Sequence, residues 1–91
     1  MPQVRAHVLI FGEVQGVYFR GTARGLALAN DLRGWVRNRA DGSVEAVFEG
    51  EEAAVRDLVA WCHDGPRGAA VERVEVEWEP PTGEFGAFLV R

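Results

Sequence analysis

GEVQGVYFRG, residues 12–21, lies where one hydrophobic periodicity gives way to another. Upstream, VRAHVLIF (residues 4–11) alternates. Ala6, Val8 and Ile10 share one face and His7, Leu9 and Phe11 the other, which predicts a strand covered at least in part on both sides. Downstream, FRGTARGLALAN (residues 19–30) sets Phe19, Thr22, Ala23, Leu26 and Ala29 or Asn30 three and four apart, which predicts a helix with one apolar face. Gly21 and Gly25 each weaken that helix by about 1 kcal/mol relative to alanine, and either permit close packing or are merely tolerated. The quoted stretch is thus a glycine-bearing strand-to-helix connection, and the fold depends on what is built around it.

Outward from there, RGWVRNRADGSVEAVFEG (residues 33–50) reads as two strands about a turn at Asp41-Gly42, with Val44, Ala46 and Phe48 on one face. EEAAVRDLVAWCHDG (residues 51–65) predicts a second helix with the stripe Ala54, Val55, Leu58, Val59 and Cys62, acids Glu51 and Glu52 at its positive end, and Gly65 closing it. VERVEVEWEP (residues 71–80) reads as a one-sided strand with Val74, Val76 and Trp78 inward and Glu75, Glu77 and Glu79 outward, and EFGAFLVR (residues 84–91) holds a last short strand. Two helices that each bury one stripe must cover one face of a sheet. The expected fold is therefore α+β: a ferredoxin-like split βαβ sandwich, βαββαβ plus a short terminal strand, with both helices on one face of a mostly antiparallel sheet. Residues 1–91 are expected to form one domain, long enough to bury about 60 to 65% of the unfolded surface.

Composition excludes much chemistry. All 10 basic residues are arginines, so neither Schiff-base catalysis nor a phosphate-binding P-loop lysine is available. Ser43, Thr22 and Thr82 are the aliphatic hydroxyls, and His7 and His63 lack the spacing of a zinc pair, so both histidines are expected to be structural. The single cysteine, Cys62, allows no intrachain disulfide and is expected to pack in the interior. No apolar run approaches about 18 residues and no signal peptide is evident. The chain is expected to be cytoplasmic, mature as written, and free of membrane partners.

The net charge of −4 is unevenly spread. Residues 1–39 carry six arginines against Glu13 and Asp31, a balance of +4, whereas residues 40–91 carry four arginines against 12 acids, a balance of −8. An acidic whole argues against a nucleic-acid partner, which would require a broad basic face. A local basic cluster suits a small anion instead, because fields are screened beyond about 10 Å.

The strand-to-helix connection is a natural place for that anion. The first N–H groups of a helix have no partner within it, and the helix dipole is positive there. Gly12 and Gly16 allow the backbone to turn or to approach a ligand closely, and Arg20 on the first turn supplies a planar fork of donors suited to phosphate oxygens. On residue chemistry alone, glycines in a loop are more often just a turn.

The residues also carry a resemblance. GEVQGVYFR followed by GWVRNRADGSVE is similar to the two signatures of the acylphosphatase family, G-x-V-Q-G-V-x-F-R and G-x-V-x-N-x-x-D-G-x-V. Every fixed position is filled: Gly12, Val14, Gln15, Gly16, Val17, Phe19 and Arg20, then Gly34, Val36, Asn38, Asp41, Gly42 and Val44. The likeness spans the whole chain. It departs mildly at Asn30 and Asp31, where the family often has a glycine. It implies an acylphosphate phosphohydrolase that cleaves a carboxyl-phosphate anhydride to carboxylate and inorganic phosphate without a cofactor or metal. Carried over by position, the backbone amides of Glu13, Val14, Gln15, Gly16, Val17 and Tyr18 cradle the phosphoryl group, Arg20 binds it, and Asn38 holds the attacking water. Gln15's side chain is expected to shape the loop, Asp41 to serve the turn, and Arg24 to be ordinary surface charge.

The implied partners are a small-molecule acyl phosphate and inorganic phosphate, as product and competitive inhibitor, with the protein monomeric. A rival reading is a non-catalytic module binding phosphate or an acyl or carbamoyl phosphate, since the same domain occurs inside larger carbamoyl-transfer proteins. An RNA-binding sheet is disfavoured by the acidic balance and by the lack of an aromatic-glycine RNA-binding pattern.

Overall fold

The computed structural model describes residues 2–91. In chain order its elements are β1 (Gln3–Glu13), α1 (Phe19–Ala29), β2 (Arg33–Asn38), β3 (Val44–Glu51), α2 (Glu52–Cys62), β4 (Ala70–Glu79) and β5 (Phe88–Val90). The strands form one sheet in the order β4-β1-β3-β2-β5, antiparallel throughout except for the parallel pair β2 and β5. This is the ferredoxin-like α+β arrangement the sequence predicts. The register pairs Ala6 with Phe48, Val8 with Ala46 and Ile10 with Val44, so the apolar residues of β1 and β3 fall on one face, and both helices pack there.

The alternation in β1 reads out directly: Ala6, Val8 and Ile10 are buried, while His7, Leu9 and Phe11 are half-covered on the other face. In α2 the stripe Val55, Leu58, Val59 and Cys62 is buried and Ala54 lies at its margin. Elsewhere the packing differs from the pattern. The buried line of α1 is Phe19, Ala23 and Ala27; Thr22 and Leu26 are only half-buried and Ala29 is exposed, because small residues let the helix sit close to the sheet. Trp78 lies on the inward face, opposite Ala6, but is not covered by the core. It is 43% exposed at the end of the edge strand β4, where the Arg56 guanidinium lies 4.9 Å from its ring centroid. Val74 and Val76 are half-buried for the same reason, having a neighbouring strand on one side only.

The terminal strand lies on the opposite edge from β4. The chain between them is tied down by Glu49, a buried carboxylate that accepts hydrogen bonds from the Thr82 and Gly83 backbone N–H groups, each at 2.9 Å. This delivers Phe88 to the core, where its ring stacks on Phe48 with centroids 5.5 Å apart, a contact worth about 0.5–1.5 kcal/mol beyond simple burial.

At the end of α1, Asp31 takes a φ of 56°, the left-handed conformation that explains the family's preference for glycine near this turn. The two helical glycines differ. A Cβ on Gly21 would stand 2.3 Å from the ring of Tyr18, which lies over it, whereas a Cβ on Gly25 would meet nothing within 4 Å. Gly21 therefore provides close packing and Gly25 is tolerated. Gly25→Ala is expected to raise stability by about 1 kcal/mol, measured as a higher urea midpoint at unchanged slope; a lower midpoint would contradict it.

Candidate active site

β1 reaches the site through an irregularity. The register with β4 shifts between Phe11 and Gly12, and Gly12 has φ +126° with the position of a Cβ only 2.2 Å from the Ala70 carbonyl oxygen. Glycine is needed here because the two strands approach too closely for any side chain. Beyond it, Val14 is fully buried and Val17 half-buried, pinning the loop to the core. Gly16 serves differently: it has open space around it and turns the chain with φ +77°. Tyr18, at φ 60° and ψ 31°, then starts α1.

The two helix starts contrast in charge. Neither has a side-chain cap, but α2 has Glu52 in its first turn while α1 has no acid there. Its first N–H groups and positive dipole end are left for whatever occupies the loop.

A second segment comes alongside. The Gln15 carboxamide donates to the Arg39 carbonyl at 2.8 Å and to the Ser43 carbonyl at 2.9 Å, tying the loop to the turn that follows β2. The turn holds itself through Asp41, whose carboxylate accepts from the Ser43 hydroxyl and backbone N–H and lies below its ordinary pKa because of those bonds. Asn38, the last residue of β2, is thereby fixed beside the loop.

Between the two segments opens a cleft of about 470 Å³. Gly16, Arg20 and Asn38 line it, with Val14, Tyr18 and Phe19. Of the positions expected to form the cradle, Glu13, Gln15 and Val17 are not in the lining; Gln15 braces the loop from behind. Four lining residues lie outside the expected site: Phe19 and Gly21, which flank Arg20 in the chain, and two more distant ones. Arg24 stands in the cleft wall rather than on unrelated surface, and Val90 arrives from β5. The first is hinted at by its position one helical turn from Arg20; the second depends on where β5 joins the sheet. Among the described residues, neither Arg20 nor Arg24 has an ion-pair partner, whereas Arg5, Arg37, Arg56 and Arg73 each do, and no carboxylate lines the cleft.

The acylphosphatase family model matches residues 6–90. This chain belongs to the acylphosphatase family. An acylphosphatase of Chloroflexus aurantiacus is 57% identical over 90 residues, covering 99% of this chain and 98% of its own length. The solved structure of an acylphosphatase from Coxiella burnetii superposes with a TM-score of 0.92 at 38% identity, covering 98% of this chain and 93% of that one. The Bacillus subtilis acylphosphatase structure also gives 0.92, at 31% identity over 97% of this chain and 98% of its own. The reaction is accordingly the hydrolysis of acyl phosphates.

In this acylphosphatase both histidines and the cysteine are engaged away from the cleft. His7 donates from Nε2 to Glu45 at 2.6 Å on the open face of the sheet. Partial burial pushes the Glu45 carboxyl up, but hydrogen bonds from His7 and Arg37 outweigh it and hold it below its ordinary pKa. His63 bonds through Nδ1 to the Val59 carbonyl at the end of α2. Cys62 is buried and its thiol is pushed up to about 12 by that burial. Among the described residues, no helix is long and apolar enough to cross a membrane.

Proposed function

We propose that hydrolysis proceeds by attack of a water held by Asn38 on a phosphoryl group seated on the loop amides of residues 13–18 and on Arg20. The observation that carries this reading is the meeting of Gly16, Arg20 and Asn38 in one cleft, at a helix start with neither cap nor acid. The water oxygen forms a bond to phosphorus as the bond from phosphorus to the carboxyl oxygen breaks. The products are a carboxylate and dihydrogen phosphate, which keeps both protons of the water. The leaving group has a conjugate acid of pKa about 4, so it departs without a proton donor. The transition state is loose and its charge lies on the equatorial oxygens, so positioning and fixed donors supply most of the catalysis.

The whole of residues 1–91 acts as one catalytic domain, cytoplasmic and monomeric, with inorganic phosphate as product and competitive inhibitor. The net charge of −4 supports the absence of a nucleic-acid partner. Phosphate release from acetyl phosphate, carbamoyl phosphate and a phosphate monoester, measured side by side, tests the reading. The two anhydrides should turn over and the monoester should not. Tight binding of acyl phosphate with no phosphate release would favour the non-catalytic module instead.

The pH dependence follows from the lining of the cleft, which includes no histidine, cysteine or acid among the described residues. Turnover is expected to stay nearly level from about pH 5.5 to 8, apart from ionisation of the substrate itself. A bell-shaped profile with an enzyme pKa near that of histidine would implicate His7 or His63 and exclude a mechanism that relies on water, amides and Arg20 alone.

A further inference from the structure

We propose that Arg24 reads the acyl end of the substrate and gives this enzyme a preference for acyl phosphates whose acyl group carries a second negative charge, such as a carboxylate two carbons beyond the anhydride carbonyl. The proposal rests on the reading of Arg20 and the loop as the phosphoryl site.

The acyl group has to leave the phosphoryl site along the remainder of the cleft. Arg24 lies on that course, one turn along α1 from Arg20, on the same face and about 6 Å further down the axis. Gly21 has no side chain, the Tyr18 ring lies over it, and Gly25 adds nothing beside Arg24. Tyr18 and Val90 supply apolar surface for the carbon chain. A carboxylate two carbons beyond the carbonyl of a mixed anhydride sits roughly 4 Å from that carbonyl by ordinary bond lengths, so an extended chain of that length runs from the phosphoryl site toward the next helical turn, where Arg24 stands.

Charge gives the direction of the preference. Arg24 has no ion-pair partner among the described residues and no carboxylate lines the cleft, so nothing competes for it there. A neutral acyl group leaves the guanidinium in water and gains nothing from it; an anionic one forms an exposed ion pair. Arg24 is exposed, so the gain is that of one surface pair, roughly two- to fivefold in kcat/KM, and it is screened by salt.

The experiment compares kcat/KM for succinyl phosphate and acetyl phosphate on the same preparation of the full chain, so that any unfolded fraction cancels in the ratio. The succinyl-to-acetyl ratio should fall roughly two- to fivefold in Arg24→Gln, fall further in Arg24→Glu, return in Arg24→Lys, and decline in the wild type as salt is added. A ratio unmoved by both Arg24→Gln and Arg24→Glu, in an enzyme whose acetyl phosphate turnover is lost in Arg20→Lys, would overturn the role of Arg24 alone. Retention of acetyl phosphate turnover in Arg20→Lys would instead overturn the phosphoryl site, and the assignment of Arg24 with it.

Discussion

Arg20→Lys is expected to fold normally yet to lose both phosphate affinity and turnover by at least about 2 to 3 kcal/mol, the range for a charge-assisted hydrogen bond or an oxyanion donor. Lysine keeps the positive charge and is tolerated in a helix. It does not keep the planar pair of donors, and a compact ammonium cannot hold two phosphoryl oxygens in one geometry while the loop amides hold the third. The cleft has no other group suited to that task, because Arg24 is a full turn further along α1. Isothermal titration with inorganic phosphate and initial rates on acetyl phosphate measure the two losses separately. Near-wild-type hydrolysis in Arg20→Lys would show that the loop is not a catalytic phosphate cradle.

Asn38→Ala should behave differently. If the carboxamide orients water and does not bind phosphate, kcat falls by about 10² or more while most of the affinity for inorganic phosphate remains. Asn38 sits at the end of β2 in an arrangement held by bonds that do not involve its own side chain, namely those of Gln15 with the Arg39 and Ser43 carbonyls. Removing its amide should therefore leave the turn in place, and an unchanged circular dichroism spectrum is the check. Parallel loss of phosphate affinity would make Asn38 part of the cradle rather than the holder of the water.

The parts of this molecule that could be read from its sequence are those set by local periodicity and by backbone requirements. Alternation placed Ala6, Val8 and Ile10 on the inner face of β1, and Asp41-Gly42 marked the turn after β2. What escaped depends on neighbours distant in the chain. Whether Trp78 is covered depends on β4 being an edge strand, which alternation does not encode. Glu49 lies on the face opposite Val44, Ala46 and Phe48, and is buried there because the segment around Thr82 and Gly83 crosses it and donates two N–H groups. The three residues of β5 are too short a run to announce their partner, so the parallel pairing with β2 that brings Val90 to the cleft was not legible. Arg24 is the intermediate case. Its spacing from Arg20 was visible, but its place in the cleft wall required the opposite wall to be known.

The burial of Cys62 bears on how this protein withstands its own substrate. Acyl phosphates are acylating agents, and their carbonyl carbon is open to any amine or thiolate they meet. Apart from the two histidines, every basic side chain in this sequence is a guanidinium, which stays protonated and is a poor nucleophile, so there is no lysine to acylate. The single thiol is sealed under α2 and held protonated, with its pKa pushed up to about 12, and the Ser43 hydroxyl is buried as well. An open cleft that takes a reactive anhydride thus has no side-chain amine or thiolate in its lining among the described residues.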